Sequence, residues 1–132
     1  MDRILTVTDY YDGPVEGLTT FEGKTHMYKC IFDEDRDEYS KRYYLMPISS
    51  EIEKLLLEQW AIFCRWNTAF KNNEVEANTH PARPEDFERN AQIDFITKEK
   101  VKIKIDKCKI GTANFEVPKK PNWAAEWNVK WV

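Results

Sequence analysis

Apolar and polar positions follow two periods along the chain, and the places where the period changes mark its elements. From Ile4 to Tyr11, β-branched and aromatic residues predominate, which predicts a strand. Asp12-Gly13-Pro14 is a turn signal that ends it. Leu18–Glu22 reads as a second strand, closed by Gly23-Lys24. Over Thr25–Asp33 the alternation puts His26, Tyr28, Cys30 and Phe32 on one face and Met27, Lys29 and Ile31 on the other. The charged run at 33–42 predicts a loop. Arg42–Ile48 predicts another strand, with Pro47 at an edge or an end because it has no N–H to give to a ladder.

The pattern then turns helical. Ser50 and Glu53 have capping-box spacing, and the helix they open is predicted over about residues 50–72. At 100° per residue, Ile52, Leu55, Leu56, Trp60, Ile62, Phe63, Trp66 and Phe70 fall within an arc of roughly 160°. Asn72-Asn73 is suited to end the helix, because Asn tolerates the left-handed conformation used there. Gln59 and Asn67 interrupt the apolar arc. A buried amide without partners costs roughly 1–3 kcal/mol, so each must bond to backbone or face a pocket. Arg65 lies beside the arc and needs a carboxylate, a partner or water.

A connection through Asn78-Thr79-His80-Pro81 leads to Pro84, which predicts the first turn of a second helix with Phe87, Ala91 and Phe95 facing inward. In Lys100–Asp106, Val101, Ile103 and Ile105 alternate with lysines as in a half-buried strand, for which Asn114–Val117 is a partner. Trp127, Val129 and Trp131 alternate with polar residues in a last strand, Glu126–Val132. The order of strands, helices and strands predicts an α+β fold. Its mainly antiparallel sheet is expected to pack against one long amphipathic helix and a shorter second one. The absence of linkers and repeats predicts a single domain over 1–132.

Composition narrows the chemistry. No apolar run is long enough for a membrane helix, and residues 1–13 do not read as a signal peptide, so a cytoplasmic location is expected. Cys30, Cys64 and Cys108 are scattered and form no CxxC pair, so buried free thiols are expected, with no metal and no cofactor. The net charge of −3 is uneven: residues 1–97 hold 19 acidic and 11 basic side chains, residues 98–132 hold 4 and 9. An acidic protein is a poor non-specific binder of duplex nucleic acid. Lys98, Lys100, Lys102, Lys104, Lys107 and Lys109 keep a local basic ribbon open as an alternative.

No phosphate-binding loop, GxGxxG, GxSxG or HExxH is present, which leans away from an enzyme. The densest polar and aromatic cluster is Asp9-Tyr10-Tyr11-Asp12-Gly13-Pro14. It reads either as the mouth of a site for a cation or polar ligand, or as a turn with tyrosines packed on the sheet. His26 and His80 read as structural hydrogen-bonding groups, or as a site shared with Asp9 and Asp12.

DYYDGP at 9–14, FEGKTHMY at 21–28, EQWAIFCRW at 58–66 and THPARPED at 79–86 together resemble a family of small uncharacterised bacterial proteins over residues 1–97. That family has no established activity. The resemblance implies a bacterial cytoplasmic origin and singles out Asp9, Asp12, His26, Trp60, Arg65, Trp66 and His80 as candidates for a shared surface. The candidate binding set is thus Asp9, Tyr11, Asp12, His26, Gln59, Arg65, Trp66 and His80, with no catalytic residue assigned. The leading expectation is a non-enzymatic protein-binding module, an adaptor or an immunity-type protein. It requires an exposed aromatic patch rimmed by charge and larger than the few hundred Å² normal for a monomer, and it loses its main support if nearly all five Trp are buried. A small-molecule or metal-binding domain, with an enzyme left open, built on Asp9, Asp12, His26 and His80 is the alternative.

Overall fold

The N-terminal run does not form the single strand that its composition predicts. In the computed structural model, which describes all residues 1–132, it splits into β1 (Asp2–Arg3) and β2 (Asp9–Tyr10). The remaining strands are β3 (Pro14–Phe21), β4 (Lys24–Asp33), β5 (Glu38–Pro47), β6 (Lys109–Glu116) and β7 (Asn128–Trp131). All pair antiparallel, in the order β1-β7-β6-β5-β4-β3-β2. The split has a physical reason: this run serves both edges of a curled sheet. β1 pairs with β7 and β2 with β3, while Ile4 forms a bridge to Thr19 and Leu5 N–H donates to Leu18 O at 2.8 Å. One segment thereby joins the two edges, which leaves fewer backbone groups unpaired than two open edges would.

Alternation fills the interior. Val15, Tyr28, Cys30, Tyr43, Leu45, Ala113 and Val129 are buried together, with Ile4, Phe21, Phe115 and Trp131 packed against them. The polar tips among them are satisfied: Tyr28 OH donates to Thr6 O at 2.8 Å and Tyr43 OH to Pro14 O at 2.6 Å. Thr19 Oγ1 accepts from Trp131 Nε1 at 3.2 Å. Glu22 and Gly23, both at positive φ, make the two-residue turn between β3 and β4. The charged run after β4 is mostly strand, not loop. Phe32 pairs with Tyr39 and Asp33 with Glu38, leaving only 34–37 as the turn. Charge at an exposed hairpin end does not oppose ladder formation. Pro47 is the last residue of β5, an inner strand, so it lies at an end.

The chain forms two compact units, Met1–Ile48 with Ile103–Val132, and Ser49–Lys102. The second is helical, with α1 (Ser50–Lys71) and α2 (Phe87–Thr97). The cap of α1 is Ser49, whose side chain accepts from Ile52 N, rather than the expected Ser50. At the other end Asn73 is left-handed (φ 59°). There Asn73 N–H donates to Phe70 O and Glu74 N–H to Ala69 O, the double bond of a Schellman end.

Helix α2 is rotated from its expected orientation. Its buried residues are Asn90, Ile93 and Thr97, whereas Phe87, Ala91 and Phe95 face solvent. Polar anchors set the rotation. Gln59 Nε2 donates to Asn90 Oδ1 (3.2 Å) and Asp94 Oδ1 (2.6 Å), and Arg89 grips Glu58 through two bonds at 2.6 and 2.8 Å. Ile62, Ala82 and Ile93 form the apolar centre beneath them, with Leu55 packed alongside.

The predicted strand at Lys100–Asp106 is absent. Residues 98–104 are turns and coil, a 3-10 turn follows at Ile105–Lys107, and Ile105 is exposed. Its intended partner at Asn114 belongs to β6, which already has β5 and β7 on its two sides. A strand with no free edge to join has no ladder to make. The six lysines from Lys98 to Lys109 therefore do not line one strand face.

Candidate functional site

Three large aromatic side chains meet in the open at one end of the β unit. Tyr11 is 73% exposed, Phe32 43% and Tyr39 39%. The rings of Tyr11 and Tyr39 lie 5.9 Å apart, and those of Phe32 and Tyr39 5.2 Å apart, edge to face. Taking a ring side chain at about 150–250 Å², the trio leaves roughly 300 Å² of aromatic surface in water. That area lies within the range of the largest patch on an ordinary monomer, short of the size that the protein-binding expectation requires. Its surroundings set it apart.

Local sequence builds the patch from two turns. Asp12 (φ 54°) and Gly13 carry the chain from β2 to β3, and Tyr11 N–H donates to Gly13 O at 3.0 Å, which holds Tyr11 at the apex. Phe32 and Tyr39 stand opposite one another near the tip of the β4–β5 hairpin. Just below them the register slips: Cys30 pairs with Tyr43 but Phe32 with Tyr39, so Ser40, Lys41 and Arg42 face the single residue Ile31. Ser40 secures this bulge by donating to Ile31 O at 2.6 Å and accepting from Arg42 N at 3.1 Å. The Cys30 thiol donates to Ser40 O at 3.1 Å. A bulge bends and twists a hairpin. Phe32, expected to share one strand face with His26, Tyr28 and Cys30, is exposed near the hairpin tip, whereas those three are buried.

The rim is acidic. Residues 33–38 hold five carboxylates and one guanidinium, and Asp12 adjoins Tyr11. Asp33 Oδ1 accepts from the backbone N–H groups of Asp35 (3.1 Å) and Arg36 (3.3 Å), which orders the turn. Arg36, the one cation within 33–38, reaches Asp33 and Glu38 only at 4.0 and 3.9 Å, and Lys41 and Arg42 follow in the bulge. Exposed aromatic faces beside excess negative charge form a surface for cations, since ring quadrupole and carboxylates attract them together.

The other expected residues lie elsewhere. Asp9 is exposed in β2, opposite Glu16. His26 is buried, its Nδ1 bonded to Lys24 O at 3.1 Å and its ring edge-on to Phe21. In the helical unit, Trp66 Nε1 donates to Thr79 Oγ1 at 2.8 Å, and the His80 ring stands perpendicular to Trp66 at 4.7 Å. Arg65 finds the carboxylate it needs, binding Asp86 through two bonds of 3.1 Å. Gln59 bonds to side chains of α2 rather than to backbone. Gln59, Arg65, Trp66 and His80 thus tie α1 to the 77–97 segment. His26 belongs to the β unit and His80 to the helical one, and no group of three or more His, Cys, Asp and Glu is placed to hold a metal ion.

Nor do the titratable groups look activated. Burial pushes the Tyr28 and Tyr43 hydroxyls well above the phenol range. Burial likewise raises the Cys30, Cys64 and Cys108 thiols, the opposite of the lowered values of reactive thiolates. No tryptophan joins the exposed patch: Trp66 and Trp127 are buried and Trp60, Trp123 and Trp131 partly so, which removes the support that exposed tryptophans would have given the protein-binding expectation. Sequence reading found Tyr11 and Asp12 but missed Phe32 and Tyr39. The available signal was the aromatic residue on each side of an acidic hairpin tip. No helix is long and apolar enough to cross a membrane. The chain matches no protein-family model, no curated protein and no solved structure.

Proposed function

We propose that this chain is a non-enzymatic protein-binding module of adaptor or immunity type, and that it receives a Lys- and Arg-rich segment of its partner on the Tyr11–Phe32–Tyr39 patch. The observation that carries the reading is the exposure of these three rings, with Tyr39 meeting both Tyr11 and Phe32, beside the carboxylates of residues 33–38. Aromatic anchors provide most of the affinity in such interfaces, while rim charge selects partners and speeds encounter. A bacterial cytoplasmic setting, and kinship with the small bacterial family that the motifs resemble, are part of the same proposal.

Panning a displayed random-peptide library against the full chain tests it. Peptides rich in Lys and Arg are expected to be enriched on the wild type and lost on Tyr11→Ala and Tyr39→Ala. Each substitution is expected to cost about 2 kcal/mol or more of binding, as interface anchors do. Enrichment of acidic or purely apolar peptides, or enrichment insensitive to both substitutions, would contradict the proposal.

A further inference from the structure

The outward face of α2 offers a second, independent surface. Phe87 is 64% exposed, Phe95 75% and Ile96 47%, and Ala91 between them is exposed too. Glu88, Ala91, Gln92, Phe95 and Ile96 line a shallow depression of about 460 Å³. Positions 88, 91, 92 and 95 have the i, i+3, i+4, i+7 spacing of a hole that receives a side-chain knob from a facing helix. Ala91 keeps its floor low. The apolar side chains were expected to face the core, yet the polar anchors to α1 turn them outward.

Charge indicates which helix fits. The ion pairs of this unit are Arg65–Asp86, Arg83 with Glu85 and Asp86, Arg89–Glu58 and Lys102–Glu99. Glu88, near the start of α2, and Lys98, at its end, belong to none of them. Lys98 Nζ instead sits 5.6 Å from the centre of the Phe95 ring, on the rim of the apolar face. We propose that this face pairs with α2 of a second copy of the chain, antiparallel about a two-fold axis level with residues 93 and 94. In that arrangement Phe95 of each copy is the knob for the other's depression. Phe95 is then level with the partner copy's residue 92, over the depression, and Glu88 is level with residue 99, about 1.5 Å along the axis from Lys98 of that copy and within its side chain's reach. A parallel arrangement would set Glu88 on Glu88 and Lys98 on Lys98, which like-charge repulsion disfavours. The self-complementary ends satisfy what an isologous contact requires.

An 11-residue helix is about 16 Å long and covers less than the roughly 800 Å² per partner of a standard interface. The dimer is therefore weak, with dissociation in the micromolar-to-millimolar range.

Sedimentation of the full chain over a wide concentration range at low salt tests the proposal. A monomer–dimer equilibrium is expected, weakened at least about tenfold by Phe95→Glu, a change at an exposed site that leaves the far-ultraviolet dichroism intact. Lys98→Glu and Glu88→Lys each weaken self-association, and a mixture of the two variants forms heterodimers in preference to either homodimer. Tyr39→Ala leaves the dimer unchanged, which separates this contact from the cation-binding patch. A chain that stays monomeric throughout, a dimer indifferent to Phe95→Glu, or charge variants that fail to prefer each other would overturn it. So would a monomer that uses Phe95 to bind phosphatidylglycerol vesicles.

Discussion

Gly17 is the residue at which the curled sheet leaves no room for a side chain. It lies where the N-terminal run crosses β3, and a Cβ there would fall on the Thr6 carbonyl oxygen and 2.8 Å from the Tyr28 hydroxyl. The same hydroxyl donates to that carbonyl, so the glycine protects a buried hydrogen bond as well as a close approach. Gly17→Ala is expected to destabilise by about 3 kcal/mol, at the upper end of ordinary overpacking costs. Tyr28→Phe, which deletes the donor and strands a buried carbonyl, is expected to cost about 1–3 kcal/mol. Denaturant melts of both variants check these values, and a near-neutral Gly17→Ala would show that the crossing is looser than described. None of this was legible in the sequence. A glycine inside a strand hints at a close backbone approach, but which backbone approaches depends on an N-terminal run folding across the other edge.

At the scale of elements, α1 was the most legible and α2 the least. Apolar periodicity and the Asn pair located α1 to within a residue or two, but the cap is Ser49 instead of Ser50, and Phe70 of the apolar arc is exposed. The two serines give a direct contrast. Ser49→Ala is expected to cost about 1 kcal/mol and Ser50→Ala close to nothing, as thermal melts can show. Helix α2 misled because its apolar stripe is not its buried stripe. The rotation rests on Gln59, Arg89 and Asp94, long polar side chains whose partners are about 31 to 35 residues away in sequence. The Arg65–Asp86 pair docks the segment leading into α2, and the hydrogen bond from Arg65 holds the Asp86 carboxyl below its ordinary value. A lowered folded value means the stabilisation is present above the unfolded value, near 3.9, and is lost as pH falls below it. Arg65 is nearly half exposed, so the pair contributes only about 0.5–1 kcal/mol. Comparing melts of wild type and Asp86→Asn from pH 7 to pH 3 should show that advantage constant above about pH 5 and fading toward pH 3. An advantage that persisted at pH 3 would mean that Asp86 acts by packing.

At the scale of the whole molecule, half of the net −8 of residues 1–97 sits in residues 33–38, beside the exposed rings. Of the cluster picked out at Asp9–Pro14, Tyr11 and Asp12 do lie on the patch, but their partners come from a hairpin that read as a charged loop. Their meeting depends on two turns and one bulge, and hydrophobic periodicity carries no information about such junctions. The most direct test of the central claim is a titration of the isotope-labelled full chain with an arginine-rich peptide and, separately, with its glutamate counterpart, followed by amide chemical shifts. Binding through the patch predicts saturable shifts confined to residues 9–13 and 31–40 for the basic peptide only, weakening as salt is raised and disappearing in Tyr11→Ala. Shifts centred on α2, equal shifts with both peptides, or none at all would contradict it.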